Sequence, residues 1–135
     1  MNIDSYRNEH KAILREAGNL GRLLSNTVEN SSKIVKLLFK IDQILEVHFA
    51  KEDGILYPAF IDSANPNNSK VGEMFLSEMG GVEEAWSFFL SRWNVAAKIE
   101  EDEERFKVEV DAVFQEIKGR IEAEDSILFP LCSKI

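Results

Sequence analysis

The sequence predicts an all-α protein folded as an antiparallel, up-down-up-down four-helix bundle. Three observations predict it. Four long stretches carry apolar residues at helical spacing, short polar separators divide them, and no sustained alternation or Asn-Gly or Asp-Gly turn signals a strand or hairpin. Each stretch has about 25 residues, or roughly 38 Å of helix at 1.5 Å per residue. Helices of matched length with tight connections pack as near-antiparallel neighbours.

The first helix is expected from about Ile3 to Val28, with Ile3, Tyr6, His10, Ile13, Leu14, Ala17, Leu20 and Leu24 on one face. Asn30-Ser31-Ser32 then supplies polar caps. The second runs from about Ser32 to Phe60 and turns Ile34, Leu37, Leu38, Ile41, Leu45, His48, Glu52, Ile55 and Leu56 inward. The clearest loop, Ala64 to Ser69, contains Pro66. The third helix spans about Val71 to Ala97, with Leu76, Met79, Glu83, Trp86, Leu90, Trp93 and Ala97 on one face. Phe88 points away from that face, so an exposed apolar patch and a homodimer are an alternative to a wide buried face. The acidic run Glu100 to Glu104 opens the fourth helix, where it complements the macrodipole. That helix continues to Leu131 through Phe106, Val110, Val113, Ile117, Arg120, Glu124, Ile127 and Leu128.

The 135 residues form one expected domain, 1–135, large enough to bury a core without a staple. With 24 acidic against 16 basic residues, the net charge of −8 argues against nucleic acid and against an anionic membrane surface. The lone cysteine, Cys132, has no neighbouring Cys or His and reads as a packing residue. Residues Met1 to Arg7 lack the apolar core of a signal peptide, and no apolar run reaches membrane length, so the expected compartment is the cytoplasm.

The chain repeats itself. His48 to Pro58 aligns with Arg120 to Pro130 at an offset of 72, with five of eleven positions identical. Setting His10 against Glu83 pairs Tyr6 with Met79, Ile13 with Trp86 and Leu20 with Trp93. The sequence therefore reads as two helix hairpins of one pattern.

Ionisable residues interrupt all four apolar faces: His10, then His48 and Glu52, then Glu83, then Arg120 and Glu124. Residues four apart share a helix face, so His48 with Glu52 and Arg120 with Glu124 project together. Six such groups at one level of a bundle need compensation, either as metal ligands or as a buried salt-bridge network.

This pattern resembles the hemerythrin-like, or HHE cation-binding, family over essentially the whole chain. The carriers are Glu9-His10, His48-x-x-x-Glu52-Asp53 followed by Ile55-Leu56-Tyr57-Pro58, and the echo Glu124 to Pro130. The resemblance implies a non-haem di-iron centre between four helices and roles in binding or sensing oxygen or nitric oxide, in iron handling, or in repair of iron centres. It implies His10, His48, Glu52 and Glu124 as metal ligands. Two positions depart from it: Glu83 and Arg120 stand where the family offers histidines, and an arginine cannot ligate a metal.

Glu52, Glu83 and Glu124 with Arg120 sum to −2, which one divalent ion neutralises. The expectation is thus one metal ion, iron first with manganese or zinc as alternatives, held by His10, His48, Glu52 and Glu124 with Glu83 assisting. Arg120 is expected to replace the second ion and pair with Glu83 and Glu124. A full di-iron centre and paired-iron oxygen carriage are not expected; a small diatomic ligand on a single ion is. The competing expectation is a metal-free bundle serving as an interaction or regulatory module. No catalytic residue stands out beyond the metal groups.

Overall fold

A computed structural model describes residues 2–134, and every regular element among them is helical. Helix α1 spans Asp4–Leu23 and ends in a tight 3-10 turn, Leu24–Asn26. Helix α2, Ser31–Lys51, runs through a wide π turn, Glu52–Leu56, into α3, Tyr57–Ile61, with right-handed backbone at each junction. Helix α4 is Pro66–Arg92, α5 is Ala96–Glu101, and α6 is Glu103–Ala123. A second π turn, Glu124–Leu128, and a 3-10 segment, Phe129–Lys134, follow α6. Among the described residues no helix is long and apolar enough to cross a membrane.

Capping explains several boundaries. Asn65 accepts a hydrogen bond from the Asn67 amide at 2.9 Å ahead of Pro66, which opens α4. Asp102 does the same for Arg105 at the start of α6, in the middle of the acidic run. Asn30 behaves differently from the expected N-cap. Its amide donates to the Leu23 carbonyl at 3.1 Å and so closes the C-terminal end of α1, while Ser31 donates to Glu100 of α5. The third expected helix also stops earlier than Ala97. Trp93 leaves the helical region at φ −121, ψ 35, and the short α5 follows.

Helix α1 packs on α2, α4 packs on both α3 and α6, and α5 rests on α2. Between them lies one apolar core that includes Ile13, Leu38, Ile41, Leu45, Phe75, Trp86, Phe106, Val110 and Ile117. The closest approach is at Gly72, where a Cβ would stand 2.7 Å from Phe60 Cβ and 2.9 Å from the Ile61 amide nitrogen.

Three inward faces differ from those the spacing predicts. After Glu52 a regular helix would bury Ile55; instead Ile55 is 58 % exposed and Leu56, Tyr57 and Phe60 are buried. After Glu124 the same displacement exposes Ile127 and buries Leu128, Phe129 and Cys132. Each π turn accommodates one extra residue, so everything downstream rotates by about 100° relative to a regular helix. On α4 the buried line is Phe75, Met79, Val82, Trp86, Phe89 and Trp93, with Leu76 exposed and Glu83 half-buried. Leu14 of α1, also expected inside, is exposed.

Candidate metal centre

Four of the predicted site residues meet at one point. His10 comes from α1, His48 from the last turn of α2, and Glu52 and Glu124 each open a π turn. All four are buried, and each offers one ligand-type atom within 4.8 Å of the others. His10 Nε2 lies 2.9 Å from Glu124 Oε1 and 3.1 Å from His48 Nε2. His48 Nε2 lies 3.1 Å from Glu52 Oε2 and 3.9 Å from Glu124 Oε1.

The outward nitrogens fix the imidazoles. His10 Nδ1 is 2.9 Å from Asp125 Oδ1, and His48 Nδ1 is 2.8 Å from Glu9 Oε1. A carboxylate accepts, so in each case Nδ1–H donates. That places the free lone pair of a neutral ring on Nε2, aimed at the cluster. Lys51 holds Glu9 in turn, donating to its second oxygen at 2.6 Å. The Tyr57 hydroxyl donates a short hydrogen bond to Glu124 Oε2. Glu52 is fully buried, and neither of its oxygens has an aligned hydrogen-bond donor.

The electrostatics show how strained the cluster is without a cation. Burial opposes charge on His48, yet the carboxylates of Glu124, Glu52 and Glu9 outweigh it and hold the imidazolium up to about 10. Burial, and then the adjacent Glu124 carboxylate, push the Glu52 carboxyl well above its ordinary value. Glu124 moves the other way: burial opposes its charge, but contacts from Glu52, His10, His48 and Tyr57 hold it below the usual carboxylate range. Two carboxylates side by side cannot both stay ionised cheaply, so their values separate.

Glu83 is not part of this cluster. Val82 occupies the interior position, beside His48 and Glu124, while Glu83 faces a surface groove lined by Asp42, Glu46, Phe49, Ala50, Trp86 and Ser87. Burial and the neighbouring Asp53 carboxylate push it up to about 7. The physical reason is volume. Turning Phe75, Val82 and Phe89 inward buries two aromatic rings and an isopropyl group, whereas the alternative face offers Leu76, Glu83 and Leu90.

Arg120 pairs with neither Glu83 nor Glu124. Its Nη1 donates to Glu78 Oε2 at 2.5 Å, and its guanidinium lies 4.6 Å from the centre of the Phe75 ring. Its side chain is nonetheless only 11 % exposed, and it lines an interior cavity together with His48 and Glu124. The arginine sits at the edge of the site, with its charge tied outward to Glu78 because Glu83 has rotated away.

Three contributors, Glu9, Asp125 and Tyr57, stood in the sequence reading only as parts of the family pattern, with no role at the site. Glu9 and Asp125 directly flank His10 and Glu124 in the chain, but each orients a histidine of another helix. Adjacency in sequence gave no sign of that crossing.

The donor set fits a cation. Two imidazole nitrogens with their protons on the far side, and two carboxylates, aim lone pairs at one buried point. A family model, the hemerythrin HHE cation binding domain, matches residues 1–132. No curated protein and no solved structure matches the chain. With a family model matching nearly its whole length and a buried His/Glu cluster at its heart, the chain belongs to the hemerythrin HHE cation-binding domain family.

Proposed function

We propose that this protein binds one divalent transition-metal ion, iron first, through His10, His48, Glu52 and Glu124, and acts in binding or sensing oxygen or nitric oxide or in iron handling. The observation that carries this reading is the pair of outward Nδ1–H···carboxylate bonds, which turn both Nε2 atoms toward the cluster, 3.1 Å from each other, where each carries a lone pair in the neutral ring. Lone pairs so placed repel unless a cation or a proton lies between them. The unpartnered oxygens of Glu52 add to the argument, because a buried carboxylate without a donor costs about 1–3 kcal/mol or more.

Charge supports a single ion. Glu52 and Glu124 contribute −2 with neutral imidazoles, and Arg120 is balanced by Glu78. One divalent ion makes the interior neutral; two would leave +2 beside a buried arginine. Mixed imidazole and carboxylate donors suit Fe(II), Mn(II) or Zn(II). Bound iron would supply a redox-active coordination position for a diatomic ligand. The four long helical segments, read as an up-down-up-down bundle, give the rigid frame such a site needs.

A second reading has its own observation. The carboxylates around His48 are sufficient to hold it as imidazolium, so the cluster also works as a metal-free ion-pair network within a regulatory or interaction module, including a homodimer. Elemental analysis of protein purified from metal-replete medium decides between them. About one ion per chain supports the metal reading, near zero supports the ion-pair network, and near two refutes the single-ion count.

A further inference from the structure

We propose that Arg120 forms the binding edge for a small oxyanion, of the size and shape of nitrite or formate, in the cavity beside the metal centre. The proposal rests on the metal reading above, since the cavity's far wall is His48 and Glu124.

Arg120 has five N–H donors, and the structure accounts for them unevenly. Nη1 is spent on Glu78 at the surface. Nε and Nη2 are closed off from solvent and have no acceptor. Leaving such donors unmet is costly, and more so when they carry charge. They are also the two nitrogens along one side of the planar guanidinium, whose parallel N–H bonds match two oxygens of one oxyanion. The guanidinium carbon lies 4.6 Å from the centre of the Phe75 ring, a cation–π contact that helps hold it in place.

The surroundings favour a small ligand over a large one. The cavity that Arg120 lines is about 10 Å³, walled by Ile13, Leu45, Met79, Val82 and Ile117 besides His48 and Glu124. That is room for about one water-sized centre. A three-atom oxyanion is larger than that, so its entry requires Met79, an unbranched thioether on the wall, to move aside. A bulkier anion finds no place.

Charge makes the site conditional. Without a cation, Glu124 presents its carboxylate to the cavity and repels an anion. With one divalent ion on the cluster, that negative charge is cancelled and no carboxylate opposes an anion at the two unmet N–H donors. The site therefore fills only when the metal is in place.

The test uses zinc-loaded protein, which is diamagnetic, with its zinc content measured on the same sample. The Arg120 Nε–H signal in a proton–nitrogen correlation spectrum is identified by its absence in Arg120→Lys. Added sodium nitrite or sodium formate should shift it saturably, while equal sodium chloride should not. Metal-free protein should show no shift. Arg120→Lys keeps the charge but loses the two-donor edge, and should weaken nitrite binding by about tenfold or more, read by competition calorimetry. An unmoved Nε–H signal in protein carrying one zinc per chain overturns the anion site and leaves the metal reading standing. A chloride-matched shift, or equal nitrite affinity in Arg120→Lys, overturns it too. Failure of zinc to load overturns both, and the zinc measurement identifies that case.

Discussion

Removing Gly54 should make this protein more stable and worse at holding metal. Gly54 is exposed within the π turn Glu52–Leu56, where Tyr57 N–H bonds back to Glu52 across five residues. If that turn houses one extra residue, its deletion restores a regular helix. Leu56, Tyr57 and Phe60 would then fall on the positions that Ile55, Leu56 and Ala59 would otherwise occupy, so the core is kept. The gain has two parts. A glycine in a helix interior costs about 1 kcal/mol against alanine, and a restored regular hydrogen bond is worth up to about 1 kcal/mol. At about 2.1 cal/mol/K per residue, 135 residues unfold with an entropy near 0.28 kcal/mol/K. A gain of about 1–2 kcal/mol therefore raises Tm by about 4–7 °C. The cost falls on the site, because the ligand Glu52 opens the wide turn and its carbonyl accepts the turn's bond, so closing the turn shifts Glu52. Disturbing a group that orients a ligand typically costs about 10–100-fold in metal affinity. Circular-dichroism melts in chelator, and competition of zinc against a chromophoric chelator, measure the two. A Tm that falls by several degrees would show that the downstream face had been rotated out of the core. Unchanged zinc affinity would show that the wide turn does not serve the site. Either result refutes the reasoning.

Further outcomes follow from the same geometry. Glu83→Ala should leave zinc affinity within about twofold of the parent, since Val82 holds the interior position, whereas Glu52→Gln should lower it by at least about tenfold; chelator competition reads both. Metal binding must release the proton that His48 holds up to about 10, so apparent affinity should rise by up to about tenfold per pH unit between pH 7 and 9. Linkage gives the matching stability effect for metal-free protein. A raised imidazolium stabilises the fold fully below its unfolded value near 6.5, and that contribution is lost progressively as pH rises from about 6.5 to about 10; urea midpoints across that window should fall. Gly72→Ala places a methyl 2.7 Å from Phe60 Cβ and against α3 backbone, and should cost about 1–3 kcal/mol, or about 4–11 °C in Tm.

The helices were legible from spacing, which also set six ionisable groups at one level, and the family resemblance singled out His10, His48, Glu52 and Glu124 among them. A histidine and a glutamate four residues apart share a face whatever the fold around them. The inward face of α4 was not legible in the same way. Met79, Trp86 and Trp93 belong equally to a line through Phe75, Val82 and Phe89 and to one through Leu76, Glu83 and Leu90. Spacing fits both lines, and matching the two hairpins favoured the one containing Glu83. Packing volume chose the other. The π turns were hidden for a related reason: an apolar run such as Ile55-Leu56-Tyr57 offers an inward residue in either phase, so the extra residue leaves no mark on the pattern. What did leave a mark was the repetition itself, since both wide turns lie at the offset of 72 that relates the two halves.

That repetition also explains why the halves differ chemically. Asp125 closes the second wide turn onto His10, an aspartate meeting an imidazole. Its counterpart Asp53 closes the first wide turn onto Glu83, a carboxylate meeting a carboxylate, and one of its oxygens is buried without a partner. Glu9 anchors His48, whereas Arg120, the counterpart of His48, finds its acceptor in Glu78 at the surface. Val82 stands where Glu9 would recur, so the repeat offers Arg120 no acceptor at that place and it turns to Glu78. Glu52 and Glu124 alone bring the interior close to neutrality around a single divalent ion, because Arg120 is answered by Glu78. The second half thus brings Glu124 to the cluster but no imidazole, and its arginine, paired with Glu78, keeps two donors without an acceptor.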